Sequence, residues 1–147
     1  MNDGSIIKLT IKDTAGQERF DAINEVFYKN ADCCLLIYDI TKKDSFEKIK
    51  NYYINKIEEY CKSSIKVILL GNKTDLKNKR KISREEGMDL ALKNNYIFME
   101  SSCKDNYNVS DAFTALVEMT NHERKMDKAI DSFSIITTKA KKGKKCC

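Results

Sequence analysis

Three short stretches hold side chains whose types and spacing suit nucleotide chemistry. Asp13-Thr14-Ala15-Gly16-Gln17-Glu18 follows a run in which Ile7, Leu9 and Ile11 alternate with Lys8, Thr10 and Lys12. An aspartate at a strand end can hold Mg²⁺, usually through water, because that ion sheds its hydration shell reluctantly. Gly16 lets a backbone N–H come close to a phosphate, and Gln17 could orient an attacking water. Singly, each of these residues also suits an ordinary loop with an Asx turn. The six in order point to phosphate.

The second stretch is Gly71-Asn72-Lys73-Thr74-Asp75-Leu76, after the apolar run Ile65–Leu70. The Asp75 carboxylate could accept two hydrogen bonds, from N1–H and the amino group of guanine. Adenine offers an acceptor and no amino group there, so the charge would stay unpaired. A dry site of this kind rejects the wrong base by about 10⁴-fold. Asn and Asp are also common in turns, so Asn-Lys-x-Asp alone is a modest signal. The third stretch, Glu100-Ser101-Ser102-Cys103-Lys104, follows the run Tyr96–Met99. A small residue at 103 lets its N–H reach a base oxygen, and the Lys104 stem could lie over the ring. By itself this pattern is weak; its place after a third strand gives it weight.

The elements that must position these residues are legible as periodicities. Cys33–Tyr38, Ile65–Leu70 and Tyr96–Met99 read as strands buried on both faces. Between them, Ser45–Cys61 carries Phe46, Ile49, Tyr53, Ile57 and Tyr60 at helical steps, with Asp44 and Glu47 as a capping box. Ser83 and Glu86 form a second capping box ahead of Met88, Ala91 and Leu92, and a third helix carries Val109, Ala112, Phe113, Leu116 and Met119. Asn2-Asp3-Gly4 reads as a hairpin turn leading into a strand at Ile7–Lys12. Strands alternating with helices predict an α/β domain with a parallel sheet and helices on both faces. Ligands in such sheets bind at the carboxyl ends of the strands, where all three stretches fall. Residues 1–125 are expected to form this domain, and 126–147, where periodicity decays, a flexible tail.

Composition narrows the function classes. The 147 residues suffice for one domain with a real core, and no run of eighteen apolar residues exists to span a membrane. The start MNDGS is not a secretory signal, so the chain is expected in the cytosol. Lys139, Lys141, Lys142, Lys144 and Lys145 account for the whole net charge of +5. A neutral body argues against a nucleic-acid binder, while a basic tail suits an anionic membrane surface. Six cysteines without a CxxC pair, and one histidine, His122, make a zinc site unexpected. Cys33 and Cys34 are expected as reduced core residues.

Together the three stretches resemble the guanine-nucleotide motifs of the Ras superfamily of small GTPases, and more finely those of the Rab family. The finer match rests on KLTIKDTAGQERF, on FYKNAD at 27–32, on LIYDIT at 36–41 and on the Cys-Cys end. The resemblance implies a P-loop-NTPase-type fold and a GTP/GDP-dependent switch in vesicle traffic, on the cytoplasmic face of membranes with a cytosolic pool. It implies Asp13, Thr14, Ala15 and Gly16 as the phosphate-sensing switch II, Asp13 toward Mg²⁺ through water, and Gln17 as catalytic. It implies Asn72, Lys73, Asp75, Ser102, Cys103 and Lys104 at the guanine base, and prenyl groups on Cys146 and Cys147. The implied partners are guanine nucleotide, effectors, exchange and GTPase-activating factors, and a prenylation escort engaging Ile135-Ile136. Two prenyl chains anchor stably where one does not, and the five lysines add attraction to anionic lipid.

The sequence also departs from the family. No G-x-x-x-x-G-K-[ST] occurs; the glycines are at 4, 16, 71, 87 and 143 only. The phosphate cradle, its lysine and the hydroxyl on Mg²⁺ are therefore absent from these residues. In the family's sheet a first strand lies between the strand ending at Lys12 and the one starting near Cys33. An N-terminally incomplete domain with two unpaired strand edges is expected, unable to bind or hydrolyse GTP tightly alone. Lys12 stands where the family usually has Trp in an effector-binding patch that also includes Phe27, and Cys103 where it usually has Ala. The alternative is a nucleotide-free, membrane-tethered interaction protein, whose expected mark, loss of Asp13, Gln17, Asn72 or Asp75, is not seen.

Overall fold

The computed structural model describes residues 7–13 and 21–121, with the side chains of 21–24 left aside. Three parallel strands form the sheet: β1 (Cys33–Asp39), β2 (Lys66–Asn72) and β3 (Ile97–Glu100), in the order β1-β2-β3. All three predicted strands are present: β1 starts where expected and runs one residue further, and β2 and β3 lie one or two residues later than expected. β2, in the middle, buries Val67 to Gly71 and fits the expectation of burial on both faces. β1 does not, because Ile37 is 52% exposed on its outer edge.

On one face of the sheet, Leu36, Tyr38, Val67 and Leu69 form a core with Phe46, Ile49, Ile54, Ile57, Ile82 and Ala91. Helices from residue 43 to 60 and from Arg84 to Lys93 supply the second set, except Ile82, which comes from the loop just before the latter helix. The first of these is not a regular helix. α2 (Lys43–Lys48) passes through a π-helical turn at Ile49–Tyr53 into α3 (Ile54–Tyr60). The turn inserts one residue into the repeat, so Ile54 is the next fully buried position after Ile49, while Tyr53 packs partly buried against the same core. The predicted Asp44/Glu47 capping box is also corrected. Lys42 is the N-cap, with no side-chain cap bond, and Ser45 Oγ donates back to the carbonyl of Lys42 at 2.7 Å.

α4 (Arg84–Lys93) begins as predicted. Ser83 Oγ accepts from the Glu86 N–H at 3.0 Å, and the Glu86 carboxylate accepts from the Ser83 N–H at 2.7 Å. A further helix, α5, covers residues 109–121 and buries Ala112 and Leu116. The helix at Asp21–Asn30 is α1. Cys33 and Cys34 are free thiols and half-buried, and Cys34 packs against the core as expected.

The predicted strand at Ile7–Lys12 is not formed. Residues 7–13 have no regular secondary structure, and Ile7, Leu9 and Ile11 are 37–65% exposed. A strand requires a partner ladder, and β1, the nearest candidate, pairs only with β2 among the described residues. Between residues 7–13 and β1 lies a cavity of about 820 Å³, lined by Leu9, Ile11, Leu35, Ile37, Leu116 and Val117 among others. Residues 2–4, with the predicted hairpin turn, and 14–20, with Thr14, Ala15, Gly16 and Gln17, lie outside the described residues, as do Ile135, Ile136, Cys146 and Cys147. Among the described residues no helix is long and apolar enough to cross a membrane.

Candidate nucleotide-base site

The carboxyl ends of β2 and β3 bring the second and third stretches side by side. β2 ends at Asn72, and Lys73 follows in the left-handed region with φ 73° and ψ 37°. This turn is held by the Asn72 side chain, whose Oδ1 accepts the Lys73 N–H at 2.7 Å. Thr74 then ties the loop to the end of β3: its N–H and its hydroxyl both donate to the Ser101 carbonyl at 3.1 Å. The Ser101 N–H returns a 2.9 Å bond to the carbonyl of Gly71. Two loops distant in sequence are thus laced into one surface.

That lacing aims Asp75. Ser102 Oγ, buried, donates to Asp75 Oδ1 at 2.8 Å and accepts the Asp105 N–H at 3.2 Å. Among the described residues Asp75 Oδ2 takes no hydrogen bond, so the half-buried carboxylate keeps acceptor capacity in a fixed direction. Two acceptors on one oriented carboxylate match paired N–H donors, as on guanine and not on adenine. Asn72 acts as a brace between the loops: its Oδ1 also accepts from Ser101 Oγ and from the Cys103 N–H, both at 3.4 Å. The Cys103 amide, expected to meet a base oxygen, is therefore held by one long bond that a better acceptor can replace. Lys104 is exposed beside this loop.

Two ionic features at this end of the sheet were not anticipated. Asp39, at the end of β1, pairs with Lys73 at 2.7 Å. Burial acts to raise its pKa, but the bonds from Lys73 and from Thr41 outweigh it and bring Asp39 down to about 2. The same pair raises the Lys73 ammonium. Arg80, after the first loop, grips Glu100, before the second, through two bonds of 2.7 and 3.2 Å. Arg84 lies 3.6 Å from the same carboxylate. Asp39 stands in LIYDIT and Arg80 in a basic run, and neither setting distinguishes a buried pair from a solvated charge.

The phosphate half is less complete. Asp13 is exposed, and among the described residues no group of three or more His, Cys, Asp or Glu side chains is placed to hold a metal ion. The described residues thus fit a base and do not by themselves fit Mg²⁺.

Comparison with known proteins agrees with this geometry. The Ras family model matches residues 1–122. The Ras-related protein Rab-8A of Bos taurus is 45% identical over 132 residues, which are 90% of this chain and 62% of that protein. The Ras-related protein Rab-8B of Homo sapiens is 46% identical over 127 residues, 85% of this chain and 61% of that protein. The chain therefore spans less than two thirds of these relatives' length.

Proposed function

Because the chain belongs to the Rab family of small GTPases within the Ras family, we propose that its paired loops hold the guanine base of GTP and GDP. The observation that carries this is the Ser102–Asp75 bond, which joins the two loops and fixes the direction of the carboxylate. Asn72 braces the loops, Lys73 and Lys104 offer apolar stems to the ring faces, and the Cys103 amide meets the base oxygen.

The complete switch needs more than these residues supply. Within the family reading, Asp13 holds Mg²⁺ through water, Thr14 to Gly16 sense the γ-phosphate, and Gln17 orients the attacking water. The cradle for the phosphates has no counterpart in the 147 residues. The cavity beside β1, about 820 Å³ and lined by residues 7–13 on one side and β1 on the other, is where a further strand carrying that cradle fits. On its own the 147-residue chain accordingly holds guanine nucleotide weakly and does not hydrolyse GTP at a useful rate. Geranylgeranylation of Cys146 and Cys147, with the basic tail, places the protein on the cytoplasmic face of intracellular membranes, where it directs vesicle traffic. Lys12, with its ammonium 5.7 Å from the centre of the Phe27 ring, makes the effector-facing patch more cationic and favours effectors with an acidic residue there.

Calorimetric titration of the chain with GDP and with ADP tests the reading. Measurable GDP binding, with ADP at least 100-fold weaker and the preference lost in Asp75→Ala, supports it. Equal affinity for the two, or none for either, favours the nucleotide-free tether instead.

A further inference from the structure

Asp39 and Asn72 are direct partners in the β1–β2 register, so their side chains leave the sheet next to each other at the candidate base site. Asn72 Oδ1 fixes the backbone of Lys73. Asp39 fixes the other end of the same residue, with Oδ2 2.7 Å from the ammonium. Asp39 is itself locked. Its Oδ1 accepts the Thr41 N–H at 2.9 Å and the Thr41 hydroxyl at 2.7 Å, and its side chain is only 12% exposed. The lysine stem is therefore stretched between two fixed points, in a backbone conformation that only a few per cent of non-glycine residues adopt.

A free lysine side chain samples many rotamers, and ordering it against a ligand opposes binding. A lysine clamped at both ends has already lost that freedom when the ligand arrives. We propose that Asp39 is a positioning residue for base recognition: it holds Lys73 so that its methylene stem forms a ready-made apolar wall for one face of the purine. The ammonium is committed to Asp39 and not to a phosphate. Thr41 supports the clamp by preventing Asp39 from turning to solvent. This inference rests on the guanine-base reading and adds to it the origin of the site's rigidity. The depressed pKa of Asp39 is consistent with a pair that stays ionised throughout the physiological range.

The experiment is a double-mutant cycle on the full chain, with GDP and inosine diphosphate titrated and followed by protein amide shifts. Inosine diphosphate has the same ring face without the 2-amino group, so Asp75 alone discriminates between the two. Asp39→Asn should weaken both ligands equally, by about tenfold, as expected from releasing one long side chain. In a Lys73→Met background the same change should weaken either by less than twofold. Dispersed amide resonances from β2 establish that each variant is folded. Equal losses with and without Lys73, or a changed ratio of GDP to inosine diphosphate, would overturn the inference while the base site stands. A wild-type chain that does not prefer GDP to ADP overturns the base site and this inference with it.

Discussion

The Arg80–Glu100 pair gives the sharpest test of how the two site loops are held. Glu100 is 9% exposed and receives two bonds from Arg80, which is 26% exposed and also donates to the Ile82 carbonyl at 3.1 Å. Replacing Arg80 by Met keeps the apolar stem and removes the charge, leaving Glu100 buried with only Arg84 nearby. Removing one partner of a fully buried pair costs about 3–5 kcal/mol. Arg80 retains some solvent, and Arg84, at 3.6 Å and mostly exposed, can move closer. A loss of about 2 kcal/mol is expected for Arg80→Met, since partial exposure screens such pairs. In urea this corresponds to a midpoint lower by about 1 M, for slopes of about 2 kcal/mol/M. Arg80→Met combined with Glu100→Met should regain most of the loss, because an apolar pair of similar volume leaves no charge to desolvate. Hydrogen exchange supplies a second readout. The Thr74 and Ser101 amides, which lace the loops together, should exchange faster in the single variant than in the double. A single variant within about 0.5 kcal/mol of wild type would refute the reasoning. So would a double variant less stable than the single.

Other expected outcomes follow from single observations. Among the described residues Tyr38 Oη is buried without a hydrogen-bond partner, and burial is the main cause of its raised pKa. Tyr38→Phe should therefore stabilise the chain by about 1 kcal/mol in urea melts, since an unsatisfied hydroxyl carries a desolvation penalty; a clear destabilisation would mean the hydroxyl is satisfied. Ser83→Ala removes one arm of the α4 capping box and should cost about 1 kcal/mol, read by the same melts, with Ser83→Asp recovering most of it. Asp39, with its pKa lowered to about 2, contributes stability that is fully present above pH 4 and lost as the pH falls through 2. Carbon NMR of the Asp39 carboxyl should show that midpoint, and a midpoint near 4 would exclude the Lys73 pairing.

What was legible in the sequence were features decided by local pattern. The apolar runs at 33, 65 and 96 announced three strands because burial leaves little choice for such runs. Ser83 and Glu86 announced a helix start because the capping box satisfies its own donors locally. Asn72, Asp75 and Ser102 were legible as candidate site residues because they stand at or just past strand ends. What was not legible depends on partners far away in the chain. Ile7, Leu9 and Ile11 alternate as a strand should, but a strand is a property of two segments, and among the described residues no ladder forms beside them. The π turn at Ile49–Tyr53 escaped because Tyr53 and Ile54 are both apolar, and the helical repeat reads equally well through either. Asp44 and Glu47 fit the capping pattern, yet the chain enters α2 from a turn closed by Asp39, Thr41 and Ser45. The pairs Asp39–Lys73 and Arg80–Glu100 join residues 34 and 20 positions apart, so only the folded sheet brings them together.

The loops after β2 and β3 are proposed to form one site for a guanine base. Amide chemical shifts of the full chain, titrated with GDP and then with ADP, test it most directly. GDP should move the resonances of residues 72–76 and 101–105 together along one binding curve, with ADP moving them little at equal concentration. Shifts confined to one loop, spread over the surface, or equal for the two nucleotides would contradict it.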